Sequence, residues 1–162
     1  MTLKRSLVIV FDQEKSIGEI EATLNIFTNE EVIRMKYFNP ITNSLVPEFT
    51  NQSNELLISS DSWGLEISLI IDYEIVNNKI GFSDCIEIQT WDDKTYELII
   101  KYQIYDLLSS ILLMKYSKQI LSIVTFIDYD ENCPSAEQIK IAVREGRLDK
   151  YKSLINVKQL YE

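Results

Sequence analysis

The side chains available for chemistry in this chain are carboxylates, because its 162 residues include no histidine. That removes Ser-His-Asp and Cys-His nucleophiles, imidazole acid–base catalysis and histidine-bearing zinc sites. Cys85 and Cys133 stand in no CxxC spacing and are too few for an all-cysteine zinc site, so buried thiols are expected. Neither GxxxxGKS/T nor GxGxxG occurs, which leaves phosphate cradling by a glycine loop without support. Two acidic groups remain. Asp128, Asp130 and Glu131 leave the apolar run ILSIVTFI together, at the end of a strand, where sheet proteins often place ligand-binding groups. Their string DYDEN lacks the twelve-residue spacing and central glycine of a calcium loop, so a solvated strand exit is expected and no metal or other cofactor is assigned. The second group is TWDDK, which sets Trp91 beside Asp92 and Asp93. Tryptophan often dominates the energy of an interface, and flanking carboxylates select a basic partner.

Asp84, Glu87 and Lys101 resemble the Asp…Glu-x-Lys arrangement of metal-dependent nucleases, but Gln89 stands where the metal-adjacent lysine belongs. An acidic chain also holds a polyanion poorly. A carboxylate pair for glycoside hydrolysis is compatible with the composition, yet only four glycines are present to shape a substrate groove. No catalytic residue is therefore assigned.

The elements that must position these groups follow from hydrophobic periodicity. SLVIVF (6–11) is a continuous apolar run, the mark of a strand covered on both faces. Ile17, Ile20 and Leu24 have helical spacing within 16–26. Alternation predicts a strand over 32–38, and residues 39–54, with Pro40 and Pro47, predict a long loop. Strands are predicted over 55–60 and 65–76, the latter from its β-branched content. CIEIQT and TYELIIKY then predict a hairpin around Asp92, Asp93 and Lys94. Pairing Thr90 with Tyr96, Ile88 with Leu98 and Ile86 with Ile100 gathers one apolar face. Trp91, Gln89, Glu87, Glu97 and Lys101 fall on the other, with Ile99 as the apolar exception. A largely apolar helix is predicted over 105–116 and a doubly buried strand over 120–127. Consecutive strands with segregated helices predict an α+β fold with a mostly antiparallel sheet.

Near the carboxyl end, IAVREGRLDKYKSLI (141–155) resembles the second half of an ankyrin repeat, a protein-binding module, through Ala142, Gly146, Leu148, Leu154 and Ile155. The resemblance implies a first helix ending at Gly146 and a second running on to Ile155. The Thr-Pro-Leu-His start is absent, and a solitary repeat cannot bury its own faces. The expectation is one domain: an α+β body over 1–132 and a C-terminal helix pair over 133–162 packed on it.

Formal net charge is −9 and unevenly placed. Residues 133–162 hold six Lys/Arg against four Asp/Glu, and the first 132 hold 10 against 21. Such a body repels nucleic acid and anionic membranes and speeds encounter with basic proteins. No secretory signal and no membrane span are expected, so the predicted location is cytoplasmic. These observations favour a protein-binding domain, with an immunity protein or toxin inhibitor that neutralises a basic toxin such as a nuclease as the leading expectation. Its partner-binding residues would be Trp91, Asp92, Asp93, Glu87, Glu97, Asp128, Asp130 and Glu131. The alternatives are an adaptor subunit assembling through its C-terminal helices and a carboxylate-based enzyme.

Overall fold

The computed structural model describes residues 3–16, 19–20, 34–38, 54–60, 63–76, 79–116, 118–129, 133–148 and 155–159. Strand β1 (Leu3–Ser16) organises the molecule, and every side chain from Lys4 to Phe11 along it is buried. A strand without polar alternation is stable only between two layers and between two other strands. β1 therefore lies inside the sheet, antiparallel to β5 (Lys79–Thr90) on one side and to β6 (Ile120–Tyr129) on the other. Beyond β5 come β4 (Leu65–Val76), β3 (Asn54–Ser60) and β2 (Arg34–Phe38); beyond β6 comes β7 (Ile155–Gln159). The order of the seven described strands is β2-β3-β4-β5-β1-β6-β7, and every neighbouring pair is antiparallel.

Three described helices cover the two faces: α1 (Asp93–Lys101), α2 (Ile104–Tyr116) and α3 (Ala136–Glu145). On one face Leu7, Ile9, Ile71, Ile86, Ile88 and Ile123 pack against Ile99 of α1 and Ile104, Leu108 and Leu112 of α2. On the other, Val8, Val10, Cys85, Val124 and Phe126 pack against Ala136 and Ile139 of α3. This is the expected α+β architecture. Trp63 is buried in the first cluster with its ring centroid 6.0 Å from that of Tyr102. It sits in the β3–β4 turn, where Gly64 takes the positive φ of 68° that an L side chain resists. Among the described residues, no helix is long and apolar enough to cross a membrane.

The structure departs from expectation at TYELIIKY, which forms α1 instead of a second hairpin strand. The N-terminal cap decides this. Asp92 is extended (φ −89°, ψ 122°), and its carboxylate accepts from the Thr95 backbone N–H at 3.1 Å and from the Thr95 hydroxyl at 2.7 Å. Asp93 in the first turn and Lys101 in the last then complement the helix dipole. Exposure follows the helical period: Asp93, Lys94, Glu97, Ile100 and Lys101 face outward, and Ile99 is 3% exposed. The residue that spoiled the hairpin register is thus the one the helix buries. Ile88, expected opposite Leu98, instead has Leu7 and Ile71 as its cross-strand neighbours.

The C-terminal helix pair is also corrected. Its first member is α3, with a Ser135–Gln138 capping box and the expected left-handed Gly146 at its end. Ile155, expected in the second helix, begins β7, whose Val157 lies opposite Val124 of β6. The open edge of β6 offers a ladder of unpaired backbone groups, and satisfying them outweighs local helical spacing. Residues 149–154 lie outside the described residues, as do 39–53 of the loop predicted over 39–54, whose last residue Asn54 begins β3, and most of the helix predicted over 16–26. Of that helix, Glu19 and Ile20 are helical, with the Glu19 N–H bonded to the Ser16 hydroxyl at 3.1 Å, and Ile20 is buried in the core. The helix predicted over 105–116 is present as α2, but its apolar character is one-sided in effect, because Met114 is exposed.

Candidate functional site

TWDDK is the junction between β5 and α1, so its side chains hold that junction as well as facing outward. The Thr90 hydroxyl accepts from the Asp92 N–H at 3.1 Å. Hydrogen bonds from Thr95 hold the exposed Asp92 carboxyl below its ordinary range. Asp93 Oδ1 lies 2.7 Å from a guanidinium nitrogen of Arg5, and that guanidinium stacks 4.2 Å from the ring centroid of Tyr96. Arg5 is itself buried, so β1 reaches up and fixes the first turn of α1. Tyr105 of α2 adds a second tie, with its hydroxyl donating to the carbonyls of Arg5 at 3.2 Å and Ile88 at 3.4 Å. Burial holds the Tyr105 phenol well above its ordinary range, so it stays a donor. Trp91 is half-buried, with the Lys4 ammonium 5.8 Å from its ring centroid. Asp92→Ala is expected to lower the thermal midpoint by about 2–4 °C, read by circular dichroism, as loss of one N-cap in a domain of this size implies. An unchanged midpoint would show that the cap does not hold the junction.

The outward stripe of α1 combines charge with one large apolar group. Glu97 and Lys101 are exposed along it, and Ile100 between them is 58% exposed. Lys101 also lies 5.2 Å over the ring of Tyr102.

Glu87 belongs to the opposite face. It sits on β5 opposite Val8, on the α3 side, and its carboxylate Oε2 is 3.2 Å from Lys4 Nζ. Burial pushes the Glu87 carboxyl up from its ordinary value; Lys4 and the nearby Ser6 hydroxyl counter this only in part, and Asp72 adds to the rise. Asp128 is the cross-strand neighbour of Lys4 on β6. Asp130 and Glu131 lie outside the described residues. The predicted binding set therefore divides. Asp92, Asp93 and Glu97 gather at α1, whereas Glu87 and Trp91 meet Lys4 across the sheet.

Asp84 is an anchor for α3. Its two carboxylate oxygens lie 3.1 Å from Lys140 Nζ and 3.3 Å from an Arg144 guanidinium nitrogen, and the same Arg144 nitrogen donates to the Phe11 carbonyl at 2.9 Å. Burial works against the Lys140 charge, but hydrogen bonds to Glu137 and Asp84 outweigh it and raise Lys140 above its ordinary value. Among the described residues, no three Cys, Asp or Glu side chains gather where they could hold a metal ion. Sequence reasoning missed Lys4, Arg5 and Ile100. The signal for the first two was two cations placed directly before the buried run SLVIVF, where only a partnered charge is tolerated.

No family model, curated protein or solved structure matches this chain.

Proposed function

We propose that this chain is a protein-binding domain of the immunity or inhibitor type, which neutralises a basic protein such as a nuclease toxin by docking it on the outward stripe of α1. The observation that carries this reading is Ile100, 58% exposed on a helix whose other outward positions are charged. An isoleucine there contributes little to folding and suits an anchor that desolvates on binding. Glu97 lies one turn before it and Asp92 and Asp93 at the start of the same helix, and the formal net charge of −9 would draw a basic partner in from a distance. Arg5 and the Asp92 cap hold the stripe rigid, which lowers the entropy lost on association. The encounter would take place in the cytoplasm.

The test uses calorimetry with a basic protein recovered from the native cell by affinity capture on this chain. Ile100→Asp is expected to weaken binding by about 30-fold or more, the usual consequence of losing a central anchor. Its thermal midpoint should remain near that of the unmodified protein, because the side chain supports no core contact. Undiminished affinity in Ile100→Asp and Glu97→Lys variants would overturn the reading.

A further inference from the structure

The face of the sheet that carries α3 changes character between β1 and β4. Under α3 it is apolar, with Val8, Val10, Cys85 and Val124. Toward β4 it turns polar, where Asp72 lies opposite Glu87, and Ser6 lies opposite Gln89. Antiparallel register puts these four side chains on one face in adjacent rows. The Gln89 amide nitrogen donates to Asp72 Oδ2, which fixes the orientation of the Gln89 carbonyl.

Glu87, Gln89 and Ser6 are 5%, 3% and 0% exposed; Gln89 Oε1 has no hydrogen-bond partner, and Glu87 is met only by Lys4 and the nearby Ser6 hydroxyl. The Lys4 ammonium, 3.2 Å from Glu87 Oε2, pairs with its charge. A buried acceptor left without a donor is costly, so Gln89 Oε1 beside the incompletely satisfied Glu87 carboxylate calls for a ligand that donates. Asp72 is half-exposed, and Ser68 and Glu66 on the same strand are exposed, so the cluster borders solvent on the β4 side.

The chemistry of the occupant follows from the free valences. Glu87 Oε2 and Gln89 Oε1 accept only, and the serine hydroxyl accepts as readily as it donates. With Asp72 and Glu87 negative and Lys4 positive, the notch is left one charge negative. An anion would face two carboxylates. A divalent metal would sit against the Lys4 ammonium, which is already 3.2 Å from the strongest donor. A single positive charge carrying several N–H donors fits. We propose that the notch formed by Asp72, Glu87, Gln89 and Ser6 binds a guanidinium or alkylammonium group, which enters past Asp72 and donates to Glu87 Oε2 and Gln89 Oε1. The group belongs to a free small cation or to an arginine or lysine side chain of a protein. The notch lies across the sheet from Ile100 and stands or falls independently of docking on α1.

The test is a titration of the 15N-labelled protein followed by NMR, with methylguanidinium chloride as the probe and tetramethylammonium chloride as a cation without N–H donors. Methylguanidinium should shift the amides of Ser6, Asp72, Glu87 and Gln89 and the Gln89 side-chain amide, and tetramethylammonium should not. Asp72→Asn, at a half-exposed position that tolerates the change, should weaken the effect about tenfold, as loss of a neighbouring negative charge implies. Gln89→Leu, which removes the second acceptor, should weaken it similarly. A tetra-arginine peptide that binds more tightly than methylguanidinium, with the same dependence on Asp72, would assign the group to a protein side chain. Equal affinities would assign it to a small cation. Equal shifts with methylguanidinium and tetramethylammonium, no shifts with methylguanidinium, or larger shifts with calcium chloride would each overturn the proposal.

Discussion

Replacing Lys4 with methionine is expected to cost about 3 kcal/mol of folding stability at pH 7, the low end for removing one partner of a buried ion pair. The Lys4 and Glu87 side chains are 11% and 7% exposed, so water does little to replace the lost attraction. Glu87 is already pushed above its ordinary value of 4.5 by burial, with Lys4 the principal opposing influence. Removing Lys4 should raise it further. A carboxyl raised on folding favours the folded state below its unfolded value and loses that advantage as pH climbs through its folded value. The unmodified protein should therefore lose the Glu87 contribution as pH rises above about 4.5, and Lys4→Met should extend that loss to higher pH. The penalty of the substitution should accordingly shrink toward pH 4.5. Urea denaturation at several pH values measures it. A penalty that stays constant across the range would mean that the pair does not control the Glu87 charge.

Asp84→Asn should cost about 3 kcal/mol as well, but its effect should concentrate on α3. The substitution leaves Lys140, 8% exposed, with only the half-exposed Glu137 carboxylate at 2.9 Å. Arg144 keeps its bond to the Phe11 carbonyl but loses its counter-charge. Amide hydrogen exchange should accelerate across 136–145 more than in β1 or β5, because α3 can leave the sheet without opening the α1–α2 layer. Lys140 is raised above its ordinary 10.5 in the folded protein, so its stabilisation is present below that pH and fades as pH climbs through the folded value. The Asp84→Asn protein should show a weaker alkaline decline. Uniform acceleration of exchange over the whole sheet would show instead that α3 and the sheet open together.

The strands were legible wherever burial alone sets the pattern. SLVIVF and ILSIVTFI lie between two layers, and their unbroken apolar runs state this directly. TYELIIKY misled because isoleucine-rich segments satisfy strand and helix templates alike over eight residues. The deciding signal was Asp92 three residues before Thr95, an N-cap pattern that hydrophobic periodicity does not weigh. The last strand was hidden for another reason. Residues 155–159 have no strong local preference, and their structure is imposed by the edge of β6, a partner thirty residues away in sequence. The candidate site suffered most, since Lys4, Ser6, Asp72, Glu87 and Gln89 come from three strands. Only the register of the assembled sheet reveals that they share one face.

The position of β1 has a consequence for how the molecule is made. Leu7 is neighboured by Ile88 on one side and Thr125 on the other, both far downstream in sequence. During synthesis this apolar segment emerges before both of the strands that flank it and must wait for them before either edge is covered. Closing contacts of such long sequence separation is slow, placing folding in the millisecond-to-second regime of non-local sheets. Until then SLVIVF is an uncharged strand with two bare edges, the form most prone to joining its copies on neighbouring chains. The buried Lys4 and Arg5 directly before it then serve a second purpose in the nascent chain: as free cations, they guard a segment whose partners arrive late.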